Sequence, residues 1–380
     1  MPVPFYRHSL DPTLVANQVA EVAGNPIITS GAVGDSVAKA MELDLGYQNV
    51  LLTNSWTNGA VAVLLAAGIG PGDEVIVPAM TFAATANVVR LVGATPVFVD
   101  VRPDTLLIDL RSVERQIGPA TKAIIPVHLY GQTVDLSDLI DSLRGRKDIL
   151  LIEDCAHSYE SICMRDNSQS TSVAIFSFYA TKNLTCGEGG AIATNDDSLM
   201  AQIRQTALHG MTAGAAKRFE GGRYRGWDQS RLGTKANLPD LLAALLVGQV
   251  GHWEQPLSAR QAIAARYRSA CRISNLRVPA REGTPHSEHL FPIWVPPQSR
   301  DAVMDLLASS QIGCTLNYQS VPTLTHYRNQ FPEAATSTPV SNDWGEGTLS
   351  LPLFPTMSDH EVGEVESAIQ AIGELLGSTK

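Results

Sequence analysis

The chain has 380 residues, comfortable for two domains, with 44% hydrophobic and 17% charged residues and a formal net charge of −10. That balance supports a large buried core and excludes general nucleic-acid binding or attachment to an anionic membrane surface. No apolar run approaches the roughly 20 residues of a membrane span, and the N-terminus lacks the charged-then-apolar layout of a secretory signal. Five scattered cysteines without a Cys-x-x-Cys pair argue against a disulfide scaffold or a metal site, so a reducing cytoplasm is expected.

In chain order, a helix is expected near Thr13–Ala23. From about residue 50, short β-rich runs alternate with helical stretches. Strands are expected at Val50–Thr53, Glu74–Pro78, Pro96–Val99, Ala123–Val127, Ile149–Asp154, Val173–Phe176 and Gly190–Thr194. Helices are expected at Asn58–Ala67, Ala83–Val92, Leu136–Leu143 and Ser198–Leu208. Near-continuous apolar strands imply burial on both faces, the pattern of an α/β fold with a mostly parallel sheet. A long helical stretch from Pro239 to about Ser269 leads out of this region. After it come a strand at Leu290–Val295 and helices at Ser299–Ser309 and Ser358–Leu376, which read as a smaller α+β domain. The expected division is an N-terminal segment, 1–30, packing with the small domain, a large domain over 31–255 and a small domain over 256–380. The loop Ala213–Gly233 carries Lys217, Arg218, Arg223, Arg225 and Arg231. Such a basic cluster suits a diphosphate ligand, although a solvated loop is an equal reading.

Two residues carry the chemistry. Asp154 closes the strand-like run Leu-Leu-Ile-Glu-Asp, and Lys182 follows it by 28 residues in Phe-Ser-Phe-Tyr-Ala-Thr-Lys-Asn. A lysine amine can hold an aldehyde cofactor as a Schiff base, and a carboxylate can keep a pyridine nitrogen protonated. Together they are the minimum equipment for pyridoxal phosphate (PLP). A lone Asp at a strand end reads equally as a helix cap, and most lysines are solvated. The apolar run before Lys182 and the glycines after it depart from that expectation. Ser177 could reach a phosphate oxygen, and His157 could pack beside a cofactor ring or bond its phenolic oxygen. In Asn-Ser-Trp-Thr-Asn-Gly-Ala (54–60) a strand passes into a helix whose N-terminus, with Thr57, would form an anion site; Ser55 or Thr57 would cap that helix. Phe82 could stack on the cofactor or fill core. Gly-Ile-Gly-Pro-Gly-Asp (68–73) follows a helix and reads as a stop and turn, not as a dinucleotide loop.

The chain resembles the PLP-dependent sugar aminotransferases of the DegT/DnrJ/StrS family. The resemblance is carried by Gly-Pro-Gly-Asp-Glu-Val-Ile-Val-Pro-Ala-Met-Thr-Phe (70–82), Val-His-Leu-Tyr-Gly-Gln (127–132) and Ile-Glu-Asp-Cys-Ala-His-Ser-Tyr-Glu (152–160). It continues through Phe-Ser-Phe-Tyr-Ala-Thr-Lys-Asn-Leu-Thr-Cys-Gly-Glu-Gly-Gly-Ala (176–191) and Lys-Ala-Asn-Leu-Pro-Asp-Leu-Leu (235–242). It implies a fold-type-I architecture, Lys182 as the Schiff-base lysine and Asp154 as partner of the ring nitrogen. By the same resemblance Thr57, Asn58 and Ser177 would hold the phosphate, Phe82 would stack on the ring and His157 would lie beside it. Asn237 would reach the phosphate of a neighbouring subunit, which implies a homodimer. Tyr318 and His326 resemble the family's segment near the substrate, with Arg225 and Arg231 as further substrate contacts. The family usually has Ser-Gly-Thr where this chain has Ser55-Trp56-Thr57.

The expected activity is transfer of an amino group, with glutamate as donor, to a nucleotide-linked keto sugar. A keto-cyclitol (inosose) aminotransferase shares every cofactor residue and stays open, as does a non-catalytic PLP-fold sensor. Dehydratase relatives replace the lysine by histidine, and this chain keeps Lys182. A dinucleotide-dependent dehydrogenase fails for want of a strand–glycine-loop–helix followed by an acid.

Overall fold

Seven strands form one sheet in the order β1-β7-β6-β5-β4-β2-β3 in the computed structural model, which describes residues 2–143, 145–146, 148–212 and 226–377. They are β1 (Asn49–Thr53), β2 (Glu74–Pro78), β3 (Thr95–Val99), β4 (Thr121–Ile124), β5 (Leu150–Asp154), β6 (Val173–Ser177) and β7 (Gly190–Thr194). All neighbours pair in parallel except β7, which is antiparallel to both β1 and β6. The expected mostly parallel seven-stranded α/β sheet is therefore the one that forms.

Alternation along each strand feeds two hydrophobic layers. Val75, Val77, Ile152, Val173, Ile175 and Ile192 pack with helices Trp56–Ala66, Ala84–Leu91 and Asp197–Thr206 on one face. Leu52, Ala174, Phe176 and Ala193 face helix Ala32–Leu45 on the other, and Ile76, Ile124 and Leu151 extend that second face. A separate cluster surrounds the antiparallel pair β8 (Phe291–Trp294) and β9 (Thr348–Leu351), where helix Glu254–Ile273 packs on helix Asp359–Gly377.

Three features differ from the sequence reading. The helical stretch expected over Pro239–Ser269 is interrupted: a short helix, Asp240–Ala243, runs into a 3-10 turn, and the long helix begins at Glu254. Gly251, at φ +78°, adopts the left-handed backbone that ends the first helical stretch before the long helix begins. Val3 joins the β8–β9 cluster, but helix Pro12–Gly24 lies against Asp240–Leu246 and buries Val22 with the large sheet's second layer. The N-terminal segment thus meets both regions, Val3 in the β8–β9 cluster and the helix on the large sheet's second layer. Helix Ala32–Leu45 escaped the sequence reading because its start is capped from afar. Asp240 accepts from the N–H groups of Gly31, Val33 and Gly34 at 2.9, 3.2 and 3.1 Å.

Candidate active site

Parallel pairing aligns the carboxyl ends of β4, β5 and β6, and the crevice there is where open α/β sheets bind ligands. Asp154 ends β5 and Ser177 ends β6. Both line a cavity of about 490 Å³ with Thr57, Phe82, His157, Lys182 and Tyr318.

Asp154 is only 5% exposed. Thr85 Oγ1 donates to its Oδ2 at 2.9 Å and the Ala156 N–H to its Oδ1 at 3.1 Å. Burial pushes its carboxyl up to about 6, against the pull of those donors, of Lys182 and of the Trp56 indole. Burial likewise pushes the Lys182 amine down to about 8, with the Asp154 charge pulling it back up. Desolvation thus brings an acid and an amine toward neutrality on one cavity wall.

At the other end Ser55 is the N-cap of helix Trp56–Ala66, its Oγ accepting from the Asn58 N–H at 3.0 Å. That leaves the Thr57 hydroxyl at the cavity, at a helix N-terminus whose dipole suits an anion. Gly190 permits the approach of β7 to this turn: a Cβ there would meet Ser55 C and Trp56 N, each at 2.8 Å.

His157 is satisfied on both ring nitrogens. The Tyr130 N–H donates to Nδ1 at 3.2 Å, and Nε2 pairs with the Tyr318 hydroxyl at 3.1 Å. The Tyr130 bond leaves the ring proton on Nε2. Burial, followed by Lys182 and His289, holds His157 well below the usual imidazole range, so it is neutral. Phe82, 62% exposed, lies 5.9 Å from the Tyr318 ring.

Other expected residues stand elsewhere. The Asn58 amide donates to Asn54 Oδ1 at 2.9 Å and lines no part of the cavity. Asn237 pairs with Thr53 across a β-bridge and donates to Thr29 and Ser30 at 3.1 and 3.0 Å, outside its own chain's cavity. Arg231 donates to Gln202 Oε1 at 3.1 Å and reaches the Ala66 carbonyl, a role in tying helices together. His326 is exposed on helix Thr325–Gln330 and packs edge-on against Tyr327. Arg225, with Lys217, Arg218 and Arg223, lies outside the described residues. Sequence reasoning missed Thr85, whose signal was the Thr81–Thr85 spacing of one helical turn; their hydroxyls are 2.9 Å apart. It also missed His289, whose ring lies 4.4 Å from that of His157, and no local pattern points to it.

Behind the site, Glu153 is 1% exposed and pairs with His128 Nε2 at 2.9 Å and Arg165 Nη1 at 2.7 Å. Burial alone would raise its carboxyl, but His128 and Arg165 hold it well below the usual range. This network anchors β5 on the side opposite the cavity.

A family model for the DegT/DnrJ/EryC1/StrS aminotransferase family matches residues 13–370. The chain belongs to that family. Among solved structures it is similar to Spr1654 of Streptococcus pneumoniae, assigned as a sugar aminotransferase, in its PMP form. The TM-score is 0.90 at 28% identity, covering 98% of this chain and 100% of that one. DesV of S. venezuelae, in complex with a ketimine intermediate, gives a TM-score of 0.87 at 28% identity over 98% and 99% of the two chains. The aminotransferase TlmJ of Streptoalloteichus hindustanus gives 0.87 at 26% identity over the whole of both chains.

Proposed function

We propose that this protein moves an amino group from L-glutamate to the ketone of a nucleotide-linked deoxysugar, with Lys182 and Asp154 as its catalytic pair. It is a PLP-dependent aminotransferase of a sugar aminotransferase family. The observation that carries the site assignment is the buried Asp154 carboxylate and depressed Lys182 amine sharing one cavity.

The residues fit the cofactor. Asp154 has two donors and can accept a third from a ring N–H. The Lys182 amine is neutral in a useful fraction near pH 8 and so can attack an aldehyde. Thr57, Ser177 and the start of helix Trp56–Ala66 would hold the phosphate, and Phe82 is free to cover a ring face. When bound, PLP supplies an electron sink whose strength depends on a protonated ring nitrogen. Asp154 keeps that proton in place, and its fixed negative charge needs no reorganisation as the reaction proceeds. Lys182 holds the cofactor and then moves a proton at the reacting carbon. His157, neutral and fixed by Tyr130, orients the Tyr318 hydroxyl toward the substrate.

A homodimer is the assembly we assign. Phe82, Tyr179, Trp227 and Leu232 expose apolar surface, and Asn237 lies outside its own cavity, as expected of a residue that serves a second copy. The five free thiols suit a reducing cytoplasm.

The test is the visible spectrum of the protein with PLP, before and after glutamate, beside Lys182→Ala. The reading requires a yellow band that bleaches with glutamate, returns with keto-sugar nucleotides and is missing from the variant. Colour restored by free keto-cyclitols instead would move the substrate to that class. No covalent band in the wild type would remove Lys182 from its role.

A further inference from the structure

We propose that Trp56 is a positioning residue whose indole N–H is the third donor to the Asp154 carboxylate, completing its bond when a ring N–H docks there. Trp56 is the first residue of helix Trp56–Ala66, is 5% exposed, and packs in the same hydrophobic layer as Ala60 and Val63. Its Nε1–H is shielded from solvent and makes no hydrogen bond of full geometry, yet it stands near enough to Asp154 to lower that carboxyl's proton affinity. A buried donor left without an acceptor is unfavourable and needs a reason. The acceptor at hand is Asp154, which lines the same cavity and feels the indole as a donor. A carboxylate offers about four acceptor positions. Thr85 and Ala156 take one each. A docked ring nitrogen takes another, which leaves room for the indole.

The surroundings make this bond consequential. Asp154 is faced by the Lys182 amine from the loop after β6 and by the neutral Tyr318 phenol, with Cys155 and His157 adjoining it in the chain. Lys182 is the one basic group among them that stabilises its charge, and that amine is consumed when it joins the cofactor. Neutral donors must then hold its proton affinity low enough for the carboxylate to stay ionised opposite the protonated ring nitrogen. The indole already lowers the proton affinity of Asp154. Without it, Asp154 takes up a proton at higher pH and can no longer hold a protonated ring nitrogen.

This inference rests on the reading that Asp154 meets the ring nitrogen of PLP, and the experiment separates the two. The chain has five tryptophans, so the indole N–H resonances of the apoprotein can be resolved and the Trp56 signal assigned with Trp56→Phe. We expect that signal to titrate between pH 5 and 8 together with Asp154, to lose that titration in Asp154→Asn, and to move on addition of PLP. In parallel, the dissociation constant for PLP is measured against pH. Trp56→Phe should weaken binding about tenfold at pH 7 and raise the acidic midpoint by about one unit. A pH-independent indole signal would overturn the proposal. So would weaker binding of equal size at every pH, which is the mark of a packing role. If the wild type took up no PLP, the cofactor reading would fail, while the indole titration would still decide whether Trp56 bonds Asp154.

Discussion

Thr85→Val removes one hydroxyl from a site that is 1% exposed and nearly preserves its shape. The lost bond is the 2.9 Å donation to Asp154 Oδ2. Hydrogen bonds to charged groups contribute about 1.5–3 kcal/mol, so the variant should be less stable by about 2 kcal/mol wherever Asp154 is ionised. The pH window follows from the direction of the shift. The folded-state carboxyl of Asp154 is raised to about 6, above the unfolded value near 3.9. Between those values the folded protein binds more protons than the unfolded chain, so this group's contribution to stability declines as pH rises toward 6. Removing Thr85 raises the folded value further and deepens the loss above pH 6. Below it, Asp154 is neutral in both proteins, and the remaining loss is roughly 0.5–1.5 kcal/mol for the Thr81–Thr85 hydroxyl pair. Denaturant unfolding of wild type and variant apoprotein at pH 5 and pH 8 measures the difference. Equal destabilisation at both pH values would refute the argument that Thr85 acts on the charge of Asp154.

Two further outcomes follow from the same electrostatics. Arg165→Met leaves Glu153 buried with only His128 and Ser172 and should destabilise the fold by about 3–5 kcal/mol. The folded Glu153 carboxyl is depressed, so its stabilisation is lost as pH falls; the variant should therefore unfold at a higher pH in an acid titration followed by circular dichroism. With Lys182 as the proposed nucleophile, the rate at which apoprotein takes up PLP covalently should rise with pH and level off above about 8, as its amine becomes neutral. Stopped-flow absorbance measures that rate, and a profile still climbing to pH 10 would mean that Lys182 keeps an ordinary lysine's proton affinity.

Much of this was readable in the chain itself. The seven strands announce themselves as short apolar runs, and β2 and β7 have the very limits that the residue pattern suggests. The turn at 68–73 is confirmed as a stop, with Gly68 and Gly72 at φ +74° and +93°. Asp154, Lys182, Thr57, Ser177, Phe82, His157 and Tyr318 were all candidates from the sequence, and all line one cavity. Asn58 and Arg231 were candidates too. Their side chains are engaged by Asn54 and Gln202, partners that a motif does not reveal. Helix Ala32–Leu45 was missed because its cap, Asp240, lies 209 residues beyond Gly31.

By itself, then, the sequence determined the alternation of strands and helices, the mostly parallel sheet and the two residues proposed to carry the chemistry. Those depend on local periodicity and on residue type, which are written along the chain. Only the tertiary structure decided how far burial shifts Asp154 and Lys182 toward neutrality, that Thr85 and Trp56 stand beside the carboxylate, and that His157 is wired between Tyr130 and Tyr318. These are matters of desolvation and of hydrogen-bond partners. Both are set by segments far apart in the chain meeting in space, so no stretch of sequence contains them.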